Sequence, residues 1–205
     1  MAYSDFTLQE AVRRFQLHLH EAHDLFAPVV ELEPSPLLRA TLAEQIPLAL
    51  AIQTEKARSE LIIVPILVEM RRHLERSISL FSGIEFNVDP AQGLNGICDY
   101  IISQSHEQFY IQAPVMAVVE AKNENIKAGL GQCAAALVAA QRFNERENTG
   151  ITRVYGVVTT GNIWRFLKLD GTLLYVDQVE YYVDRVGAIL AILNRMACEP
   201  IADNQ

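Results

Sequence analysis

The chain has 205 residues, half of them hydrophobic, which is enough for one substantial core and too little for two generous domains. Its 25 acidic residues against 17 basic ones leave a net charge of -8, the reverse of the balance with which a non-specific nucleic-acid binder neutralises phosphates. A local basic rim, or a cation in an acidic site, has to offset that charge before a phosphate backbone can approach.

The opening MAYSDFTLQEAVRRF is amphipathic and charged, with no apolar stretch of the signal-peptide kind, and no apolar run in the chain is long enough to span a bilayer. Cys98, Cys133 and Cys198 are widely spaced and odd in number, so they outline neither a disulfide framework nor a zinc cluster. A soluble cytoplasmic protein without membrane contacts is expected. Phe6, Leu8, Val12, Phe15 and Leu19 recur at helical spacing and predict a first helix over 5–21. A loop then runs to Glu33-Pro34-Ser35-Pro36, where Ser35 is placed to cap a helix opened by Pro36. Residues 37–75 read as two or three helical segments, with Pro47 and Pro65 at their starts or kinks. Residues 1–53 form an N-terminal helical extension in this reading, and 54–205 the core of a single domain.

The period changes at SISLFSGIEFNVD, which alternates as a strand does before the turn at Asp89-Pro90. GICDYIIS follows, an apolar run broken by one acid, and then PVMAVVEAKN, whose apolar stretch at 115–119 predicts a strand buried on both faces. Residues 127–146 are rich in alanine and predict a helix packed closely through its small side chains. VYGVVTTGNIWRFLKLDGTLLYVD reads as a three-strand meander, and 179–196 as a closing helix. The order implies an α/β fold, a central mixed sheet flanked by helices, with the strands on either side of the alanine-rich helix parallel.

Glu120 and Lys122 lie two apart at the end of the most buried strand and so point to one face. Ending a core strand in a carboxylate and an ammonium is costly unless they pair, hold a metal or meet a polar cleft. The strand before carries a lone acid, Asp99, between Ile97 and Ile101. Two carboxylates on neighbouring strands can share a divalent cation, and hard oxygen donors favour Mg2+ or Mn2+. Glu120-Ala121-Lys122 is the only acid-x-Lys triplet in the chain, but 25 acids and four lysines predict about half an occurrence by chance. Its weight therefore comes from the strand context.

Asp99, the Glu120-Ala121-Lys122 triplet on the next strand and the helix after it resemble the PD-(D/E)XK nuclease superfamily, the restriction endonuclease-like fold with an αβββαβ core. The resemblance covers 54–159, and Cys98 stands where the motif's proline often is. It implies a metal site of Asp99, Glu120 and the Ala121 carbonyl, with Lys122 as catalytic lysine. Many members add an acid on the helix before the sheet, for which Glu60 is the counterpart, and some a glutamine on the helix after the lysine, for which Gln132 is the first choice and Gln141 the second. Asp89, beside Pro90 in a turn, ranks below Asp99.

Other clusters read as structure. His18, His20 and His23 do not share one helical face and suit a solvated helix better than a metal. Trp164, Tyr155 and Phe166 have the composition of a base-stacking platform but sit where hairpin aromatics usually fill a core. Arg71, Arg72, His73 and Arg76 complement a helix end more readily than they contact phosphate. Gly129-Leu130-Gly131, inside a helix, is no dinucleotide fingerprint. The functions expected are a Mg2+-dependent nuclease acting on DNA, in restriction, repair or mobile-element biology, or a catalytically inactive relative of the same fold that acts as a protein-interaction subunit, in a homo-oligomer or larger complex.

Overall fold

The computed structural model describes residues 1–22 and 24–198. Its first helix, α1, is Leu8–Arg14, preceded by a 3-10 turn at Tyr3–Asp5, and Thr7 caps it by accepting from the Glu10 amide. The helix predicted over 5–21 is thus corrected to a shorter one. Gln16 adopts a left-handed φ of 53° that breaks the spiral, and His18–Ala22 continues as strand β1. The N-terminal segment is therefore only partly helical, and it belongs to the sheet.

Ser35 accepts from the Leu38 amide at 3.1 Å and opens α2, Pro36–Ile52, with Pro36 in the first turn as expected. Pro47 neither starts nor ends a helix but lies inside α2. Thr54 caps the short α3, Glu55–Arg58, which widens into a π turn at Ser59–Ile63 before α4, Val64–His73, with Pro65 in its first turn. Strands β2, Ser79–Glu85, β3, Ile97–Ser103, and β4, Val115–Ala121, follow in antiparallel succession. Helix α5, Ile126–Arg146, crosses over to β5, Arg153–Thr159, which lies parallel to β4 as expected. Next come β6, Ile163–Asp170, β7, Leu173–Asp177, and a two-residue β8, Tyr181–Tyr182. The closing helix α6 begins at Val186, later than the predicted 179, because Tyr181 and Tyr182 pair with Trp164 and Ile163 instead.

Among the described residues these strands form one mixed sheet in the order β1-β7-β6-β5-β4-β3-β2, with β8 on β6. The protein is an α/β sandwich, and residue parity divides it. Ile101, Val118, Val158 and Leu167 turn to the face covered by α1 and α5, whereas Tyr100, Val119, Val157 and Phe166 turn to the face covered by α2, α4 and α6. All seven residues of β4 are buried, so it is the central strand its composition predicts. Small residues let α5 sit close: a Cβ on Gly156 would lie 2.6 Å from Cys133 Sγ, and one on Gly131 would lie 2.2 Å from the Phe6 carbonyl oxygen. No helix among the described residues is long and apolar enough to cross a membrane.

Candidate functional site

Glu120 shares the parity of Val118 and Asp99 that of Ile101, so both carboxylates turn to the α5 face. The β3–β4 register pairs Tyr100 with Val119 and, continued one step, sets Asp99 opposite Glu120. Asp99 Oδ2 accepts from the Ala121 amide at 2.8 Å, so the acid holds the strand end while facing its neighbour. The Lys122 amide donates to Thr159 O at 2.8 Å, which carries the β4–β5 ladder one residue past the strand. Lys122 is thereby held on the same face as Glu120. Its stem lies across α5, where a Cβ on Gly129 would come within 3.0 Å of Lys122 Cγ and 2.6 Å of Val158 Cγ1.

Asn125 caps α5 by accepting from the Ala128 amide at 3.3 Å, and two turns later the helix sets Gln132 over the pair. Gln132 Nε2 donates to Glu120 Oε2 at 2.6 Å, and Lys122 Nζ stands 4.0 Å from the same oxygen. The other oxygen, Glu120 Oε1, is buried without a hydrogen-bond partner. Glu120 is wholly enclosed, Asp99 is half-buried, and the Lys122 side chain is 17% exposed, so the site reaches solvent through Asp99 and Lys122.

Burial raises the Glu120 pKa well above the ordinary carboxyl range, the Asp99 carboxylate raises it further, and the Lys122 charge opposes both. An enclosed carboxylate with a stranded oxygen costs several kcal/mol if ionised and unpaired. A proton shared with Asp99 or a cation between the two acids removes that cost. Two hard carboxylates, one holding its proton against a like charge, fit a magnesium or manganese ion. Among the described residues, however, no group of three or more His, Cys, Asp or Glu is placed to hold a metal.

The other predicted residues fall elsewhere. Glu60 lies within the π turn, its side chain 61% exposed and 3.7 Å from Lys56 Nζ. Glu55, in the first turn of α3, adds the smallest of the upward pushes on the Glu120 pKa. Gln141 donates to Thr152 O at 2.8 Å, well along α5 from Gln132, and Asp89 pairs with Arg142 at 2.9 Å.

Trp164, Phe166 and Tyr155 are core residues, with Trp164 Nε1 donating to Gly161 O, so they offer no stacking face. Arg72 and His73 attend the buried Glu69, which also accepts from the Ser35 amide, and Arg71 donates to Ile78 O. His18 and His20 lie on β1, His20 stacked on Tyr175, and His23 lies outside the described residues. Burial pushes the Cys98 and Cys133 thiols up, and the Glu120 charge adds to both shifts. Neither is a ready thiolate nucleophile.

Fold and site together define an α/β protein with a carboxylate pair at the paired ends of two sheet strands, attended by a lysine and a glutamine from the following turn and helix. Comparison with protein-family models, with curated proteins and with solved structures finds no match to this chain.

Proposed function

We propose that this chain is a divalent-cation-dependent nuclease with a PD-(D/E)XK-like core, hydrolysing DNA phosphodiesters at Asp99, Glu120 and Lys122. The observation that carries it is the enclosed Glu120, with one oxygen stranded beside Asp99 and the other held by Gln132 near the Lys122 ammonium. The succession α4-β2-β3-β4-α5-β5 also follows the αβββαβ order of that superfamily.

Asp99, Glu120 and the Ala121 carbonyl would hold Mg2+ or Mn2+, which supplies polarisation of the scissile phosphate and a lower pKa for an attacking water. Gln132 fixes the Glu120 carboxylate by its 2.6 Å hydrogen bond. Lys122, partly open to solvent, positions the attacking water and meets the charge that develops on the phosphate. Glu60, the helix acid that the resemblance adds, would complete the acidic set from the turn before α4.

Plasmid and linear DNA incubated with Mg2+ or Mn2+ test this, with wild type compared against Asp99→Ala and Lys122→Ala. Cleavage by wild type that both substitutions abolish is the expected result. Cleavage that survives both would belong to a contaminant, and the assignment would fall.

The complete enclosure of Glu120 and the net charge of -8 favour a second reading, a catalytically inactive descendant of the fold that acts as a protein-interaction subunit. A stable oligomer with no DNA cleavage and no cation binding is its expected behaviour.

A further inference from the structure

Tyr3 lies far from the carboxylate pair in the chain and close to it in space. Its ring is fully enclosed; burial first, then Cys98 and Glu120, push the phenol pKa up, so the charge of the site is felt at the ring. The phenol donates to Phe86 O at 2.6 Å, and the Tyr3 amide donates to Asn95 O at 3.0 Å. Phe86 follows β2, Asn95 precedes β3, and the Phe86 amide donates to Gly96 O at 2.9 Å. Tyr3 is thereby tied to both arms of the hairpin that carries Asp99. The approach is close: Gly96, at a φ of 134°, leaves bare a place where a Cβ would lie 3.3 Å from Tyr3 Cδ2.

Three residues further on, the same segment crosses α5. A Cβ on Gly131 would lie 2.2 Å from Phe6 O and 2.6 Å from the Leu8 amide nitrogen, so backbone rests directly on the helix. The next residue along α5 is Gln132, whose amide holds Glu120 Oε2. Segment 3–8 therefore joins the hairpin of Asp99 to the helical turn of Gln132, two elements that meet Glu120 from different sides. A side chain that orients a metal-ligating carboxylate has to be held to within about 0.5 Å, and what holds it tunes the affinity of the site.

We infer that segment 3–8, with Tyr3 as its positioning residue, places Gln132 against the Asp99–Glu120 pair. Its consequence for cation affinity rests on the metal-site reading above. Coupling of this kind is reciprocal: if seating of the segment tightens cation binding, a bound cation seats the segment more firmly by the same factor.

Two measurements on the full chain test this. In the first, Mn2+ is titrated into wild type, Tyr3→Ala and Tyr3→Phe, each checked for a cooperative melt, and hydrogen exchange at the Tyr3 amide is followed with and without Mn2+. Tyr3→Ala is expected to bind about tenfold more weakly, Tyr3→Phe, which keeps the ring and the amide tie, to bind as wild type does, and Mn2+ to slow exchange at Tyr3 about tenfold. The exchange arm needs only wild type, so it decides the matter even where Tyr3→Ala fails to fold. Wild-type Mn2+ binding that Tyr3→Ala matches, with exchange at Tyr3 unaltered, overturns the inference and leaves the metal site standing. The second measurement is made in EDTA on the NMR signal of the Gln132 side-chain amide, which is hydrogen-bonded to Glu120. Its displacement in Tyr3→Ala, reversed in Tyr3→Phe, is the expected result, and a signal unmoved in both variants overturns the positioning role. A wild type that binds no Mn2+ removes the metal-site reading, and the Gln132 signal then decides the inference alone.

Discussion

Replacing Glu120 by glutamine is expected to stabilise the metal-free protein, and to do so more as pH rises. In the folded chain Glu120 holds its proton above the ordinary carboxyl range, because it is enclosed and faces Asp99. Between the unfolded pKa, about 4.3, and the raised folded one, the folded state binds a proton that the unfolded chain has released, so wild-type stability falls as pH rises through that window. An amide has no proton to lose. It keeps an acceptor for Gln132 Nε2 and points a donor to the place of the stranded Oε1, toward Asp99. Each unit of elevation is worth about 1.4 kcal/mol, or about 3–6 °C in Tm for a chain of this size. Thermal melts in EDTA from pH 4 to 8 are the assay. The variant should match wild type near pH 4 and draw ahead above it, levelling off beyond the folded pKa. A difference that stays flat with pH, or a variant that loses ground, would refute the electrostatic account of Glu120.

Two further substitutions follow from the packing of α5. Gly131→Ala sets a methyl 2.2 Å from the Phe6 carbonyl oxygen, so the N-terminal segment must shift; a loss of about 1–3 kcal/mol, read as a lowered Tm, is expected, and an unchanged Tm would contradict the close approach. Gln132→Ala releases Glu120 Oε2 from its hydrogen bond and should weaken divalent-cation binding or cleavage by about 10–100-fold while costing the metal-free protein about 1–3 kcal/mol, whereas a variant as active and as stable as wild type would show that Gln132 is an ordinary helix residue.

The strands and the long α5 were legible because their signals are local and strong: the alternation in β2, the apolar run of β4, and the alanine-rich stretch that packs on the sheet. Parity within β4 put Glu120 and Lys122 on one side, but the facing of Asp99 and Glu120 depends on the β3–β4 register, which only the folded chain sets. Nor was β1 legible. Its His-Leu-His-Glu-Ala sequence joins the sheet only because β7 offers a free edge, a contact more than 150 residues away in the chain. The expected helix there stops where Gln16 turns left-handed.

The resemblance asked for an acid just before an apolar run and Glu60 satisfied it; its exposed place in the π turn beside Lys56 is set by the helix's local geometry, which the sequence does not signal.

The central claim is that Asp99 and Glu120 together hold a divalent cation. Isothermal titration of the protein with Mn2+ at neutral pH tests it most directly, alongside Asp99→Asn and Glu120→Gln. Saturable binding of one ion to wild type, with proton release as Glu120 yields its proton, and loss of that binding in both variants is the predicted result. No binding to wild type, or binding that both variants retain, would contradict it.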